Sequence, residues 1–222
     1  MDSKAFYDGL ISYICFLPLL TFHEFAHAWT AWKCGDDTAH SQGRVTVNPI
    51  SHMDLLGTVI LPILAVTLTA AGSGAANFII GWGRPVPVVM SRLRSPRRDD
   101  TLVALAGPAM NILLAVVALG FAKVALVGGS ESIASVAERM ALLSLVLCFF
   151  NLLPIPPLDG SHALKNFIGM SEETYLRLCQ FGFIAVIIAI QIPAIRAAIG
   201  LATAATYAVI APALGVPFGG LG

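Results

Sequence analysis

Long apolar segments alternate with short polar ones along most of this chain. Apolar residues dominate from about Phe6 to Trp32, over Leu102–Val127 and over Ala137–Leu153. A helix that spans a bilayer needs about 20 mostly apolar residues, and these segments approach or exceed that length. The pattern therefore predicts membrane-embedded helices. Tyr175–Ile192 and about Ile195–Pro212 are predicted to form a C-terminal pair of the same kind.

A central apolar segment, residues 55–80, allows two interpretations. Leu55–Ala71 contains Pro62, and Gly72-Ser73-Gly74 separates it from the apolar residues 75–80. Because proline and glycine interrupt regular helices, the segment could form either one membrane span or a re-entrant hairpin. The residues of this segment by themselves leave both alternatives open.

A polar stretch between the first two apolar segments has a different periodicity. In Gly43-Arg44-Val45-Thr46-Val47-Asn48-Pro49, apolar and polar residues alternate between a glycine and a proline. Such alternation is typical of a β-strand, so the sequence predicts a short strand or hairpin. His40 and His52 flank the stretch and are interpreted as surface or interfacial histidines.

Composition agrees with the apolar pattern. Of the 222 residues, 57% are hydrophobic and 12% are charged, whereas a soluble domain has about 25% charged residues. Mean hydropathy is +0.81. We therefore predict an all-α polytopic membrane protein with about five to six membrane-embedded helical segments. The pattern has no repeat and no soluble appendage, so residues 1–222 are predicted to form one membrane domain.

The distribution of charge indicates an orientation. The formal net charge of +0 gives no argument for a nucleic-acid partner, and the arginines are not interleaved with the aromatic residues on which bases stack. Arg92, Arg94, Arg97 and Arg98 lie just before Leu102–Val127. Because arginine and lysine concentrate in cytoplasmic loops, this loop is predicted to be cytoplasmic.

Three ionisable residues lie within the first apolar segment. His23-Glu24-Phe25-Ala26-His27 has the pattern H-E-x-x-H. Residues four apart share one face of a helix, so the two imidazoles can hold one Zn²⁺ with Glu24 beside it as a base. The pattern also arises by chance in helices. At membrane depth, however, ionisable groups are costly and usually functional, and binding a cation would offset that cost.

A catalytic zinc site usually has three protein ligands and one open position, so a third ligand is needed. The candidates are Asp159, His162, Glu172 and Glu173. Asp159 is favoured because it follows the proline-broken segment Asn151–Leu158 and precedes Gly160, where backbones can approach closely. The two glutamates follow Ser171, a good N-cap, and are explained as first-turn residues of a helix.

If the histidines and Asp159 bind one metal ion, they must lie at the same depth in the membrane, and this constrains the direction of their helices. The histidines lie toward the C-terminal part of their segment, and Asp159 follows the end of Ala137–Leu153, so both helices should run in the same direction. With the arginine loop in the cytoplasm, Leu102–Val127 runs outward and Ala137–Leu153 returns inward. The first helix must then also run inward. This argument favours the re-entrant alternative for residues 55–80.

The chain resembles the site-2 protease family of intramembrane zinc metalloproteases, in its short bacterial and archaeal form without a PDZ or CBS domain. The resemblance covers residues from about 20 to 165. Besides the two motifs above, it includes Gly43–Pro49 with His52, Gly57-Thr58, Gly81-Trp82-Gly83-Arg84-Pro85-Val86-Pro87, Arg97-Arg98-Asp99 and Ala106-Gly107-Pro108-x-x-Asn111.

The resemblance implies a specific metal site. His23, His27 and Asp159 would bind one Zn²⁺ per chain, and Glu24 would be the general base that activates the zinc-bound water. The catalytic core would extend over about residues 6–165, followed by a helical pair at about 174–215.

Two asparagines receive different interpretations. The resemblance implies that Asn151, ahead of the Leu-Asp-Gly motif, contacts the substrate backbone or the developing oxyanion. Its alternative role is to cap or satisfy the backbone at the helix break. Asn111 is interpreted as structural, with Gly107 and Pro108 allowing close packing.

The expected activity is hydrolysis of peptide bonds within or near transmembrane segments of other membrane proteins. The resemblance and the charge pattern place such an enzyme in the plasma membrane, with its site toward the cytoplasm and no nucleic-acid partner. A strand at Val45–Val47 could pair with an unwound substrate. Two alternatives remain: a zinc transporter, which predicts acidic or histidine residues on several spans, and a catalytically idle binding protein, for which Glu24 has no chemical explanation.

Overall fold

The computed structural model describes residues 2–78 and 81–217, and no β-strand occurs in that part of the chain. Ile79 and Ile80, at the end of the predicted central apolar segment, lie outside the described residues. The α-helices are α1 (Ser3–Lys33), α2 (Thr38–Ser41), α3 (Leu61–Ala70), α4 (Pro96–Val127), α5 (Glu131–Asn151), α6 (Asp159–Phe167), α7 (Glu172–Gln191) and α8 (Pro193–Ala213).

Five of these helices, α1, α4, α5, α7 and α8, are long and apolar enough to cross a membrane. Their outward faces carry large exposed hydrophobic side chains, among them Phe121, Leu201 and Val209. Extensive apolar surface of this kind suits a lipid environment. The predicted all-α polytopic membrane fold is therefore confirmed.

Two helices begin earlier in the structure than the sequence predicts. Helix α4 begins at Pro96 rather than at the predicted Leu102, because proline is well suited to a first helical turn. The backbone N–H of Ser95 also donates to the Asp99 carboxylate at 2.7 Å. Helix α5 begins at Glu131 rather than at Ala137. Both first turns are polar, so hydropathy does not reveal them.

Small residues allow α4, α5 and α8 to pack closely. Where alanines face each other, helix backbones can approach and gain dispersion contacts, which is the usual basis of helix association in membranes. This cluster gives the scaffold a rigid centre on one side of α4. Its fully buried members include Ala115, Leu119 and Ala122 of α4, Ala141 and Leu145 of α5, and Ala211 of α8.

The central apolar segment returns along α1. A π-helix, Leu55–Ile60, leads directly into α3. The backbone N–H of Asp2, at the start of α1, donates to the Ala70 carbonyl at the end of α3, at 2.8 Å. Gly9 also faces the side chain of Val66. Helix α3 therefore runs antiparallel to the N-terminal half of α1.

The two ends of this segment meet each other. The N–H of Trp82 donates to the Gly57 carbonyl at 3.1 Å, and the Arg84 N–H donates to the His52 carbonyl at 2.8 Å. The Thr58 hydroxyl donates to the Trp82 carbonyl at 2.7 Å. The chain thus leaves and returns at one level, which favours the re-entrant hairpin over a single span.

The strand predicted at residues 43–49 is wrong. This stretch has no strand pairing, and Gly43 adopts a φ of 68°, as expected of a turn. The alternation has another cause: the Arg44 side chain is buried and donates to the Arg84 carbonyl, while Val47 is 55% exposed. The buried and anchored side chain is therefore that of the charged Arg44, whereas in a strand packed on an apolar core it would be the valines.

Candidate metal centre

His23 and His27 lie one turn apart on α1 and project from the same face. Their Nε2 atoms are 3.0 Å apart, and the two side chains are only 5% and 7% exposed. The helical spacing predicted this arrangement. Two imidazole nitrogens so close together in a buried place are well placed to share one cation.

Asp159, the first residue of α6, supplies a carboxylate to the same place. Its Oδ2 lies 3.2 Å from His23 Nε2 and 3.4 Å from His27 Nε2. All three ligand atoms lie within 4.8 Å of one another. Asp159 Oδ2 is buried and has no hydrogen-bond partner, which a bound cation would satisfy. The residues present therefore fit a three-ligand metal site.

The helix break before Asp159 determines where it lies. Helix α5 ends at Asn151, and prolines at 154, 156 and 157 prevent the helix from continuing. The chain then turns so sharply that Gly160 contacts the Leu152 carbonyl, where a Cβ would overlap it. Glycine at 160 thus allows α6 to begin against the end of α5.

The other candidates for the third ligand are engaged elsewhere. His162 Nδ1 lies 3.2 Å from an Asp100 carboxylate oxygen. Glu172 pairs with Lys165 at 3.0 Å, and Glu173 pairs with Arg177. The geometry therefore agrees with the preference for Asp159. His40 and His52 also lie apart from the cluster, the first stacked on Trp32 and the second bonded to the Thr46 carbonyl.

Burial lowers the pKa of His52 below its ordinary value, which keeps this imidazole neutral. Its Nε2 lies 2.8 Å from the Thr46 carbonyl, so Nε2 carries the hydrogen and donates. His52 thereby anchors the turn where the strand was predicted. His52 was interpreted as a surface or interfacial residue, and its full burial corrects the placement at the surface.

Helix α4 supports both histidines, a role that the sequence analysis missed. His27 Nδ1 lies 2.7 Å from the Val103 carbonyl, and His23 Nδ1 lies 3.1 Å from the Asn111 amide nitrogen. Gly107 lies between them, against both imidazoles. Part of the signal was present in the sequence: Gly107 and Asn111 are four apart and share one helix face.

Glu24 and Asn151 line the cavity next to this cluster. A Cβ at Gly83 would lie 3.2 Å from Glu24 Oε1, so the chain after the hairpin passes directly over this carboxylate. The Asn151 amide nitrogen donates to the Leu147 carbonyl of its own helix at 2.9 Å. In this arrangement the Asn151 side chain satisfies a backbone carbonyl at the end of α5, which is the alternative role given above.

The cavity has a volume of about 640 Å³ and opens beside the candidate metal ligands. Most of its wall is apolar, and one end carries the polar side chains of Asp100, His162 and Tyr175. A largely apolar cavity with a candidate metal site in its wall suits a largely apolar peptide. The apolar lining includes Phe16, Leu20, Trp82, Val86, Phe150 and Phe183.

Comparison with known proteins gives three results. The family model described as Peptidase family M50 matches residues 128–190. A Bacillus subtilis (strain 168) protein named "Putative zinc metalloprotease YwhC" is 33% identical over 204 residues, which cover 87% of this chain and 87% of that protein. No solved structure gives a significant match.

Two mycobacterial relatives carry the name "Putative zinc metalloprotease Rip2". The protein from Mycolicibacterium smegmatis is 31% identical over 183 residues, covering 81% of this chain and 66% of the relative. That from Mycobacterium tuberculosis (strain H37Rv) is 34% identical over 150 residues, covering 67% of this chain and 54% of the relative. This chain thus spans nearly all of the Bacillus relative but only part of the mycobacterial ones.

Proposed function

The chain belongs to peptidase family M50, the site-2 protease family, and we propose that it is an intramembrane zinc metalloprotease. It hydrolyses peptide bonds within or near transmembrane segments of other membrane proteins, as in regulated intramembrane proteolysis. One observation carries the proposal: His23, His27 and Asp159 converge within 4.8 Å, beside Glu24, in a cavity among helices apolar enough to span a membrane.

His23, His27 and Asp159 would hold one Zn²⁺ per chain. Two imidazoles and one carboxylate are a donor set typical of catalytic zinc sites, which leave a position free for the reaction. The buried Asp159 Oδ2 without a hydrogen-bond partner supports this assignment. When bound, Zn²⁺ supplies Lewis-acid polarisation of the scissile carbonyl and lowers the pKa of its water toward about 7.

Glu24 acts as the general base and acid. Its carboxylate takes a proton from the attacking water and returns it to the amine that leaves. Two features support this role: Glu24 directly follows His23 on the helix, and its side chain faces the cavity rather than forming an ion pair among the described residues. The carboxylate is therefore free to transfer protons.

Asn151 is proposed to contact the substrate backbone or the oxyanion. Its side chain lines the cavity, but its amide nitrogen donates to the Leu147 carbonyl. Binding would require that amide to exchange its partner for the substrate oxygen. An amide that donates to an oxyanion lowers a barrier by about 3–4 kcal/mol.

The substrate must enter as an unwound segment, because a helix keeps its carbonyls in internal hydrogen bonds. The stretch of this protein beside such a segment is not Val45–Val47, which forms no strand, but Gly81–Val88, which lines the cavity. Apolar cavity walls favour substrate residues that normally face lipid.

The site is proposed to face the cytoplasm of a cell with this protein in its plasma membrane. The arginine loop lies at the same end of the bundle as the site, since the Arg94 N–H donates to the Cys34 carbonyl just beyond α1, at 3.1 Å. The positive-inside rule assigns that end to the cytoplasm. Transmembrane proteins and the lipid bilayer are the partners this location implies, and nucleic acid is not among them.

The test compares cleavage by wild type and Glu24→Gln in detergent, with a panel of single-span membrane substrates and zinc quantified in both proteins. Glu173→Gln is the matched control, because Glu173 is exposed and pairs with Arg177 on its own helix. We expect Glu24→Gln to retain about one zinc and lose cleavage, while Glu173→Gln keeps both. Equal cleavage by all three proteins would remove Glu24 from the mechanism, and zinc binding without cleavage by wild type would favour the transporter or binding alternatives.

A further inference from the structure

Asn111 lies at the centre of the bundle, directly against a proposed zinc ligand. Its side chain is fully buried on α4. The amide nitrogen lies 3.1 Å from His23 Nδ1, which is the ring nitrogen that does not face Asp159 and His27. Asn111 therefore contacts the side of His23 that is turned away from the metal position.

The hydrogen bonds of this pair are incomplete as they stand. With its nitrogen toward His23, the Asn111 amide donates to Nδ1 and leaves its own Oδ1 buried without a partner. The imidazole hydrogen is then on Nε2, the atom that lies 3.2 Å from Asp159 Oδ2. A protonated Nε2 has no lone pair for a metal. This arrangement leaves one acceptor unsatisfied and blocks a ligand.

Rotating the amide by half a turn removes the block on the ligand. Oxygen and nitrogen exchange places, so Asn111 Oδ1 accepts a hydrogen bond from His23 Nδ1–H. The amide N–H groups then take the buried position that Oδ1 occupied, so this orientation is favoured by the lone pair that it leaves on His23. Nε2 of His23 keeps its lone pair and directs it at the point where the Asp159 carboxylate and the second imidazole converge.

His27 has a corresponding hydrogen bond, in which the partner is a backbone carbonyl of α4. The Val103 carbonyl can only accept, so the contact of 2.7 Å places the hydrogen of His27 on Nδ1. Its Nε2 is therefore free for a cation. Val103 and Asn111 lie two turns apart on the same face of α4, with Gly107 between them, so one helix can orient both imidazoles.

A further bond holds Asn111 itself in place. The Ser144 hydroxyl of α5 donates to the Asn111 backbone carbonyl at 2.7 Å, and both residues are fully buried. The backbone from which the amide projects is thus tied to two helices. Metal-binding histidines usually donate their second N–H to such a fixed acceptor, and loss of that partner typically costs 10–100-fold in metal affinity, by order of magnitude.

We propose that Asn111 is a positioning residue for His23: its side-chain oxygen accepts the Nδ1–H hydrogen bond and thereby fixes the tautomer that binds zinc through Nε2. The inference rests on the proposed zinc site. It assigns to Asn111 a role in metal affinity, beyond the packing role expected from the motif.

The test measures zinc affinity of purified protein in detergent by competition with a chromophoric chelator, and the visible spectrum of the cobalt-loaded protein. Asn111→Asp keeps an acceptor oxygen in the same place, whereas Asn111→Leu has a similar volume and no acceptor. We expect Asn111→Leu to bind zinc about 10–100-fold more weakly and to alter the cobalt spectrum, while Asn111→Asp stays within a few-fold of wild type. Thr206→Val, which removes only a bond to Ala202 within α8, is the control for stability in detergent and should bind as wild type does.

Two results would overturn the inference: wild-type affinity in Asn111→Leu, or equal losses in the Asp and Leu variants, which would mean that the amide nitrogen is the contacting group. A measurement on wild type alone avoids any folding defect of a variant. In zinc-loaded protein with ¹⁵N-labelled histidine, His23 should carry its hydrogen on Nδ1, and an unprotonated Nδ1 would refute the proposal. If wild type itself binds no zinc, the proposed function fails, whereas zinc binding that is indifferent to Asn111 refutes this inference alone.

Discussion

Gly107 of α4 lies against the His27 imidazole so closely that a Cβ at position 107 would overlap Nε2. The same Cβ would also meet the His23 ring. Gly107→Ala should therefore displace one or both imidazoles and reduce zinc content and cleavage by at least tenfold, since a ligand moved by about 1 Å no longer fits the metal. Zinc per chain and cleavage rate measure the effect.

Gly120 provides the matched control for this substitution. It lies on the same helix, and a Cβ there would meet nothing within 4 Å. Gly120→Ala should keep zinc and activity, and its thermal stability should stay the same or rise slightly because alanine has the higher helix propensity. Full activity in Gly107→Ala would mean that α4 does not confine the histidines.

Removal of the metal should distinguish the residues that bind zinc from the residue that acts as the base. A ligand that binds only the folded state stabilises it by about 2.7 kcal/mol at a hundredfold excess over its Kd, so chelation should lower the melting temperature of wild type and zinc should restore it. Glu24→Gln should keep this zinc-dependent shift, while Asp159→Asn should lose most of it. Thermal unfolding in detergent, with and without zinc, measures both. An unchanged shift in Asp159→Asn would exclude Asp159 as a ligand.

A buried ion pair fixes α6 against α4 and α7. Lys165 is 2% exposed and lies 3.0 Å from the carboxylates of both Asp100 and Glu172. Lys165→Met would leave Asp100 as a buried charge without its ammonium, which typically destabilises a fold by about 3–5 kcal/mol. Arg177→Met removes an exposed pair with Glu173 and should change stability by less than about 1 kcal/mol.

The double substitution checks the cause of that loss. Adding Asp100→Asn to Lys165→Met removes the stranded charge, so the melting temperature should recover in part. Equal melting temperatures for the single and double variants would show that Lys165 acts through packing rather than charge.

How much the sequence could predict depends on whether the contact is local. The four-residue spacing of His23 and His27 lies within one helix, so helical periodicity placed both imidazoles on one face. Asp159 was preferred for its chemistry and for the proline break before it, and its carboxylate lies beside both imidazoles. The bond from His27 to the Val103 carbonyl could not be predicted in this way, because a backbone acceptor leaves no mark on the residue type.

The strand prediction was wrong because it used a local pattern where a long-range contact decides the structure. Alternation at Arg44, Val45 and Thr46 is a local signal, but what anchors the stretch is distant: the Arg44 guanidinium donates to the Arg84 carbonyl. A long-range side-chain bond thus replaced the pairing that the pattern indicated. The polar first turns of α4 and α5 escaped prediction because hydropathy detects only the part of a helix that contacts apolar surroundings.

Orientation in the membrane is open to a direct test with two exposed serines at opposite ends of α4. Ser91 lies in the loop before this helix and Ser132 in the first turn of the next, and 32 residues of helix span about 48 Å at about 1.5 Å per residue. In a variant with the four native cysteines replaced, Ser91→Cys and Ser132→Cys are labelled with a membrane-impermeant maleimide on intact cells and on inverted vesicles. Because the arginine loop is expected in the cytoplasm, Ser91→Cys should react only in inverted vesicles and Ser132→Cys only on intact cells. The reverse pattern would place the proposed metal site toward the outside, since the site and Ser91 lie at the same end of the bundle.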